Sequence, residues 1–312
     1  MELRMTLQQI RYALAAAEQG SMNKAAEILY ISQPTLTTAI RGLENEVGIR
    51  LFNRTNQGIT MTAEGRDFLM QARQIYQQYE LLKDKYASGQ VKKKFKVSCQ
   101  HYSLAAKAFV ETVRKYGTGR FDFEISETRT MDVITDVGSA VSELGILFLS
   151  DYNRRYLEKL FRERELSFTG LVTVQAFVCL YSGHPLAKNA SIGFEELAPY
   201  PNMSFDQGEN ASLFLNEEIL ADNEYPQTIK VNDRATMLNL LKGLNGYTFC
   251  PGVISEELHG SDYVAVPYRP DEDNPGRLME IGYITRSRSI LSDVALDYIS
   301  ELKRCFGEGG AL

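Results

Sequence analysis

The sequence predicts an α/β protein preceded by an N-terminal all-α winged helix-turn-helix, the two parts joined by one long helix. Three observations carry this. Residues 21–66 place two short amphipathic helices, a tight turn, a β-prone hairpin and a helix start in winged helix-turn-helix order. Residues 68–86 repeat apolar side chains at alternating spacings of four and three. Beyond residue 92, strand-like and helix-like segments alternate, as in sheets covered by helices.

A chain of 312 residues suits two or three domains, and 44% hydrophobic with 24% charged residues is ordinary for packed cores. No apolar run nears the ~20 residues of a membrane span. The start, MELRMTLQQIRYALAAAEQG, lacks the basic-then-apolar plan of a secretory signal, so a cytoplasmic protein with no membrane partner is expected. Cys99, Cys179, Cys250 and Cys305 lie far apart without a CxxC and are expected to be buried, reduced thiols. His101, His184 and His259 are scattered, so neither a metal nor a cofactor is expected. The net charge of −6 divides unevenly: residues 1–91 hold ten Lys/Arg against nine Asp/Glu, +1, and the remainder holds 24 against 31, −7. A +1 module is a weak electrostatic footprint for DNA, so several linked copies are needed to bind it well.

The first helix is predicted over Thr6 to Glu18, with Leu7, Ile10, Leu14 and Ala17 at helical spacing and Gly20 beyond its end. Ser21 caps a second helix, in which Ala25 and Ala26 permit close crossing and Ile28 and Leu29 supply apolar weight. Tyr30-Ile31 turns the chain; Ser32 caps the third helix, and Pro34 is tolerated in its first turn. Leu36, Ile40, Leu43 and Val47 form its buried stripe, ended by Gly48. Pro34, Thr38, Arg41 and Asn45 fall on the opposite side, flanked by Thr35 and Gly42. A solvated face on an ordinary helix would look the same, but the segment C-terminal to this helix favours the DNA reading. Leu51-Phe52, Arg54 and Asn56-Gln57-Gly58 turning into Ile59-Thr60-Met61 read as a hairpin wing that would aim Arg54 at a minor groove. Thr methyls and hydroxyls and an Arg fork suit bases and phosphates. The candidate DNA-binding residues are Ser32, Gln33, Pro34, Thr35, Thr37, Thr38, Arg41 and Arg54.

Thr62 caps a long helix from near Ala63, and Phe68, Ala72, Ile75, Tyr79, Leu82 and Tyr86 run along it as an a/d seam, which predicts dimerisation. Ser88-Gly89-Gln90 ends it before a basic hinge, Lys92 to Lys94. Next come the strand FKVSCQ, a helix over Leu104 to Tyr116, FDFEIS, a helix over Met131 to Val141, and LGILFL. The pattern restarts after Gly170 with LVTVQAFVCLY, a turn at Gly183 to Leu186, TIKV, a helix over Ala235 to Lys242, and YTFCP. The alternation argues mainly parallel sheets in two units with a cleft between them. Ligands in such folds sit at carboxyl ends of strands, beside helix N-termini. That picks Gln100, His101, Tyr102 and Ser103; Thr130; Ser204 and Phe205; and Arg234 with Thr248 nearby. Ser103 and Thr130 also read as simple helix caps, and Arg234 as a partner of Asp233.

The segments AAEILYISQPTLTTAIRGLENEVGIRLFNR and ITMTAEG resemble the DNA-binding signature of the LysR-type transcriptional regulators, and HPLA, FEELA and VNDRATMLNLLKGLNGYTFCPG resemble pieces of that family's effector region. The family often has a long polar or basic residue at the position of Thr38, and Gln at that of Ala39, so an altered base preference is implied with the docking mode kept. The Gly243-to-Gly246 spacing departs slightly from the usual form. The resemblance implies a DNA-binding domain over 1–61, a dimerising linker helix over 62–91, and a two-lobed, periplasmic-binding-protein-like effector domain. Its first lobe would be 92–166 with 267–312, and its second 167–266. It also implies a non-enzymatic regulator of transcription that binds double-stranded DNA, answers to a small-molecule effector in the cleft and forms a homotetramer as a dimer of dimers. An organic acid is the candidate effector class, and RNA polymerase a further candidate partner. An architectural or recombinase-like DNA binder and a solute-binding protein are the rival readings. For an enzyme the sequence offers no GxSxG, no GxGxxG after a strand, no Walker A loop and no HExxH.

Overall fold

The computed structural model describes residues 4–55, 58–86, 92–209, 211–252, 260–272, 276 and 278–309. The chain divides into two compact units, Met1–Val91 and Lys92–Leu312.

In the first unit, α1 (Leu7–Gln19), α2 (Met22–Ile28) and α3 (Gln33–Val47) each start at a cap that the local sequence supplies. Thr6 and Gln9 form a reciprocal capping box, and the hydroxyls of Ser21 and Ser32 accept from the backbone N–H groups of Lys24 and Thr35. Gly20 and Gly48 close α1 and α3 in the left-handed conformation. Leu36, Ile40 and Leu43 are fully buried against α1 and α2. One expectation fails here: Ile28 is exposed, and Met22, Ala25 and Ala26 carry the buried face of α2. Ile28 lies six positions after Met22, about 240° round the helix, on the far side.

Strands β1 (Phe52–Thr55) and β2 (Gly58–Met61) form the wing, with Arg54 opposite Ile59; Asn56 and Gln57 of the expected turn lie outside the described residues. Gly58 is required: its φ is +136°, and a Cβ there would lie 2.4 Å from the Gly20 carbonyl, to which Ile59 N–H donates. The helix α4 (Ala63–Tyr86) starts where the Thr62 hydroxyl accepts from Gly65 N–H at 2.8 Å. The seam along α4 is only partly free. Ala72 is buried and Phe68 half-buried in the unit's own core, and Arg73 pairs with Glu18 of α1 at 2.8 Å. Ile75, Tyr79 and Leu82 are exposed. The first half of α4 packs on its own domain, which corrects the expectation that Phe68 and Ala72 face a second subunit. The side chain of Tyr86 and the predicted end at Ser88-Gly89-Gln90 lie outside the described residues.

The second unit begins with β3 (Lys93–Cys99), α5 (Ser103–Tyr116), β4 (Phe121–Glu127), α6 (Thr130–Gly138), β5 (Leu144–Leu149), α7 (Arg154–Glu163) and β6 (Leu166–Val174). Next come β7 (Phe177–Tyr181), α8 (Phe194–Leu197), β8 (Asn202–Phe205), β9 (Thr228–Val231), α9 (Arg234–Leu244), β10 (Thr248–Cys250) and β11 (Tyr263–Pro267). β12 (Met279–Arg286) and α10 (Asp293–Gly309) complete it. A five-stranded sheet has the order β4-β3-β5-β12-β6. Phe95, Tyr298 and Phe306 pack with α5 on one side; Val133, Leu157 and Phe161 cover the other. The second lobe holds the three-stranded sheet β10-β7-β11 and the parallel pair β8-β9.

Two expectations change. The five-stranded sheet is mixed, with β12 antiparallel to β5 and β6, and the three-stranded sheet is antiparallel throughout, with β7 between β10 and β11. The lobe boundary also moves, because β6 pairs along its length with β12 and so belongs to the first lobe. The run LVTVQAFVCLY is therefore two strands, and the chain crosses at Gln175-Ala176 rather than near 167. A half-buried edge strand and a buried strand in tandem read as one apolar stretch, which hides the crossing.

Candidate functional site

On α3, Thr35, Thr38, Arg41 and Asn45 are exposed together, opposite the buried stripe. Ser32 and Pro34 are exposed at the helix start, and Gln33 and Thr37 are half-buried. The Ser32 hydroxyl is 2.7 Å from that of Thr35, and the Gln33 amide donates to the Thr37 hydroxyl at 2.9 Å. Those pairings leave Thr38 and Arg41 as outward groups at the centre of the face. Glu44 sets the wing: its carboxylate accepts from the N–H groups of Leu51 (2.8 Å) and Phe52 (3.3 Å), tying β1 to α3. The Arg54 backbone sits in the wing, while its side chain lies outside what is described.

In the second unit a cavity of ≈ 100 Å³ opens between the lobes. The first lobe brings His101, Tyr102 and Ser103 to it from the end of β3, and Phe306 from α10. The second brings Phe205, Arg234, Thr248, Cys250 and Tyr263. Of the expected residues, His101, Tyr102, Ser103, Phe205, Arg234 and Thr248 line it; Gln100, Thr130 and Ser204 do not. Gln100 is fully buried as a strut: its amide donates to the Thr130 hydroxyl at 2.6 Å, and its carbonyl accepts from Phe148 N–H and the Tyr102 hydroxyl at 3.1 Å. Ser204 is held in the β8-β9 ladder opposite Lys230. Neither Ser103 nor Thr130 is a cap. Both are first helical residues, with Tyr102 and Arg129 before them making no side-chain cap bond.

Distant segments supply acceptors around both helix starts. Glu217 binds just ahead of α5, before its N-cap position: it accepts from His101 N–H at 2.8 Å and meets the ring Nδ1 at 2.9 Å. The Gln207 amide donates to it at 2.8 Å, while the Gln207 carbonyl accepts from Thr130 N–H, the first of α6. The His101 ring stacks on Phe205 at 3.7 Å and 5°. Arg234 pairs with Glu127 rather than Asp233, and Arg129 pairs with Asp206. Asp233 instead caps α9 by accepting from Thr236 N–H at 2.8 Å. These contacts latch the two lobes across the cleft. Sequence reasoning misses Glu217 and Glu218 because they lie in an irregular stretch with no element-end signal. Two adjacent carboxylates flanked by Leu215, Ile219 and Leu220 are the available clue.

Glu218 is 7% exposed and lines the cavity together with a second void of ≈ 10 Å³. One carboxyl oxygen accepts from Phe205 N–H at 2.8 Å; the other is buried without a hydrogen-bond partner among the described residues. Burial, reinforced by neighbouring Glu217, pushes its pKa up to about 8. None of the four cysteines is in a disulfide, but Cys179 and Cys250 meet, because β7 and β10 pair with Cys179 opposite Thr248. Their thiols share a hydrogen bond that raises Cys179 and lowers Cys250. Cys250 is only half-buried, which corrects its expected burial. His184 is structural: its Nδ1 accepts from Leu186 N–H and its Nε2 donates to the Asn245 carbonyl, and burial lowers its pKa.

Among the described residues no helix is long and apolar enough to cross a membrane. The family model described as "Bacterial regulatory helix-turn-helix protein, lysR family" matches residues 7–66, and "LysR substrate binding domain" matches residues 122–306. An uncharacterized HTH-type transcriptional regulator of Escherichia coli K12, YbhD, is 24% identical over 292 residues, 89% of this chain and 85% of that protein. ClcR, an HTH-type transcriptional regulator of Pseudomonas putida, is 45% identical over 71 residues, 23% of this chain and 24% of that protein. A solved full-length OxyR variant of Pseudomonas aeruginosa is 19% identical, covers 97% of this chain and 95% of its own, and superposes with a TM-score of 0.65, which shows a shared fold. The two matched models take in both the helix-turn-helix and most of the two-lobed unit, and neither rival reading accounts for both. The chain belongs to the LysR family of DNA-binding transcriptional regulators, with an effector-binding domain behind the helix-turn-helix.

Proposed function

We propose that this regulator reads its operator through the outer face of α3, centred on Thr38 and Arg41, and that occupation of the inter-lobe cavity resets the response. The carrying observation is that the cavity walls come from both lobes while polar latches, Arg234–Glu127 and Arg129–Asp206, span the same cleft. A ligand that binds one lobe arrangement better shifts the population toward it. A coupling of about 1–3 kcal/mol changes DNA occupancy roughly 5–150-fold. Ser32, Pro34 and Thr35 are assigned to the DNA backbone and the groove edge, with Arg54 of the wing at the adjacent minor groove. Gln33 and Thr37, bonded to one another, act as their support.

Ile75, Tyr79 and Leu82 form the exposed part of the α4 seam, and a second copy of this helix is the partner that fits an a/d pattern. Dimers pairing again into a tetramer would give a module of charge +1 the multivalency that it needs. The protein then works where its DNA is, in the cytoplasm, without a catalytic step. RNA polymerase is a candidate contact for the bound assembly. The test is a cavity-filling substitution. Leu238→Trp, at the cavity wall, should fix one lobe arrangement and alter the footprint on the protein's operator without loss of folding. A footprint and DNA bend identical to the parent would remove the cavity from the regulatory path.

A further inference from the structure

We infer that the inter-lobe cavity takes a small cation, a primary ammonium on a short apolar body, rather than a carboxylate. The inference rests on the reading of that cavity as the effector seat and adds the charge of what fills it.

Several of the places that would receive an anion are already filled by the protein's own oxygens. At the start of α5, His101 N–H and its ring nitrogen hold Glu217. At α6 the Thr130 N–H holds the Gln207 carbonyl, and at α9 the Thr236 N–H holds Asp233. The two arginines at the cleft are spent on Glu127 and Asp206. At those places an entering carboxylate would have to displace one of these oxygens, and in the cavity it would sit near two buried carboxyl groups.

A cation meets the opposite situation. Glu218 lines the cavity, is 7% exposed, and has one carboxyl oxygen without a hydrogen-bond partner among the described residues. An ammonium brings three donors and no acceptor, which matches that oxygen once the carboxyl is ionised. Phe249 and Tyr263 offer aromatic faces that attract a cation, and Met237, Leu241 and Phe306 offer apolar wall for its body. The volume, ≈ 100 Å³, is below the ~150 Å³ of a cavity that admits benzene, so the body is short. Around Glu218 the titratable groups are Glu217, Tyr102, Tyr225, Cys250, His101 and Arg234. The raised pKa of Glu218 keeps it protonated at neutral pH when the cavity is empty, so a cation that ionises it releases a proton.

The experiment is calorimetric titration of the full-length protein at pH 7 with butylammonium and with butyrate, in two buffers of different ionisation enthalpy. Butylammonium should bind about tenfold or more tightly than butyrate, with proton release. Glu218→Gln, which keeps the acceptor for Phe205 N–H, should erase that preference and the proton release while melting as a folded protein. A preference for butyrate, binding of neither probe, or a preference unchanged in Glu218→Gln overturns the inference. Operator footprints on the same samples separate the two readings. Selective butylammonium binding that leaves the footprint unchanged upholds the charge and sinks the effector role. Selective butyrate binding that shifts the footprint does the reverse.

Discussion

The DNA-reading unit and the cleft-facing part of the sensing unit solve the same local problem differently. Each must satisfy the free N–H groups at its helix starts. In the first unit the cap comes from three residues away: Thr6 to Gln9, Ser21 to Lys24, Ser32 to Thr35. In the second, α9 keeps a local cap in Asp233, but the first N–H of α6 is met by Gln207, 77 positions on, and His101 N–H, just ahead of α5, by Glu217, 116 positions on. Locally capped helices leave their outer face free for a duplex. Helices capped from the other lobe tie their ends to a movable partner, so the polar contacts that finish the fold also set the state of the cleft.

That contrast can be broken by substitution, the largest effect first. Glu217→Ala strips a buried acceptor from three part-buried contacts together, His101 N–H, the His101 ring and Gln207, and should destabilise the sensing unit by about 2–4 kcal/mol in chemical denaturation. A loss below ~1 kcal/mol would mean that the distant cap is incidental.

Glu218 gives the next effect, through pH. Its folded pKa, about 8, lies above the ordinary value of 4.5, so the folded chain keeps a proton that the unfolded chain releases between those values. Its contribution is therefore fully present below pH 4.5 and declines as pH rises toward 8, by on the order of 4 kcal/mol. Glu218→Gln should flatten that decline, which melting curves at pH 5, 6.5 and 8 would read directly. Parallel slopes for parent and variant would contradict the assignment.

Arg41→Ala should weaken operator binding by about 1–3 kcal/mol with the melting of the first unit unchanged, since the side chain is exposed. A gel-shift titration matching the parent would exclude this face. The smallest effect belongs to a local cap: Ser32→Ala should cost about 1 kcal/mol of stability, and a cost as large as that of Glu217→Ala would erase the contrast between the units.

How far the sequence could be read follows the same division. Ser32, Leu36, Ile40, Leu43 and Gly48 each lie within a turn or two of the next, so spacing alone located the helix, its buried stripe and its outer face. The α4 seam was legible as a pattern, but its use was not: Ala72 and Ile75 belong to one repeat, yet one is buried in its own domain and the other exposed. In the sensing unit, strand ends brought His101, Tyr102 and Arg234 to the cavity, whereas Gln100 and Thr130, equally polar and equally placed, turned inward to each other.

By itself the sequence determined the secondary elements of the first unit, the helix-turn-helix with its presented face, and the presence of a two-part α/β region, because those depend on periodicity, caps and glycines acting over a few residues. The tertiary structure alone decided that β6 joins the first lobe, that Glu217 holds His101 N–H, that the Glu218 carboxyl takes Phe205 N–H, and that Cys179 meets Cys250. Each of those is a pairing between distant segments. Its free energy depends on which groups are desolvated together, and no local pattern carries that information.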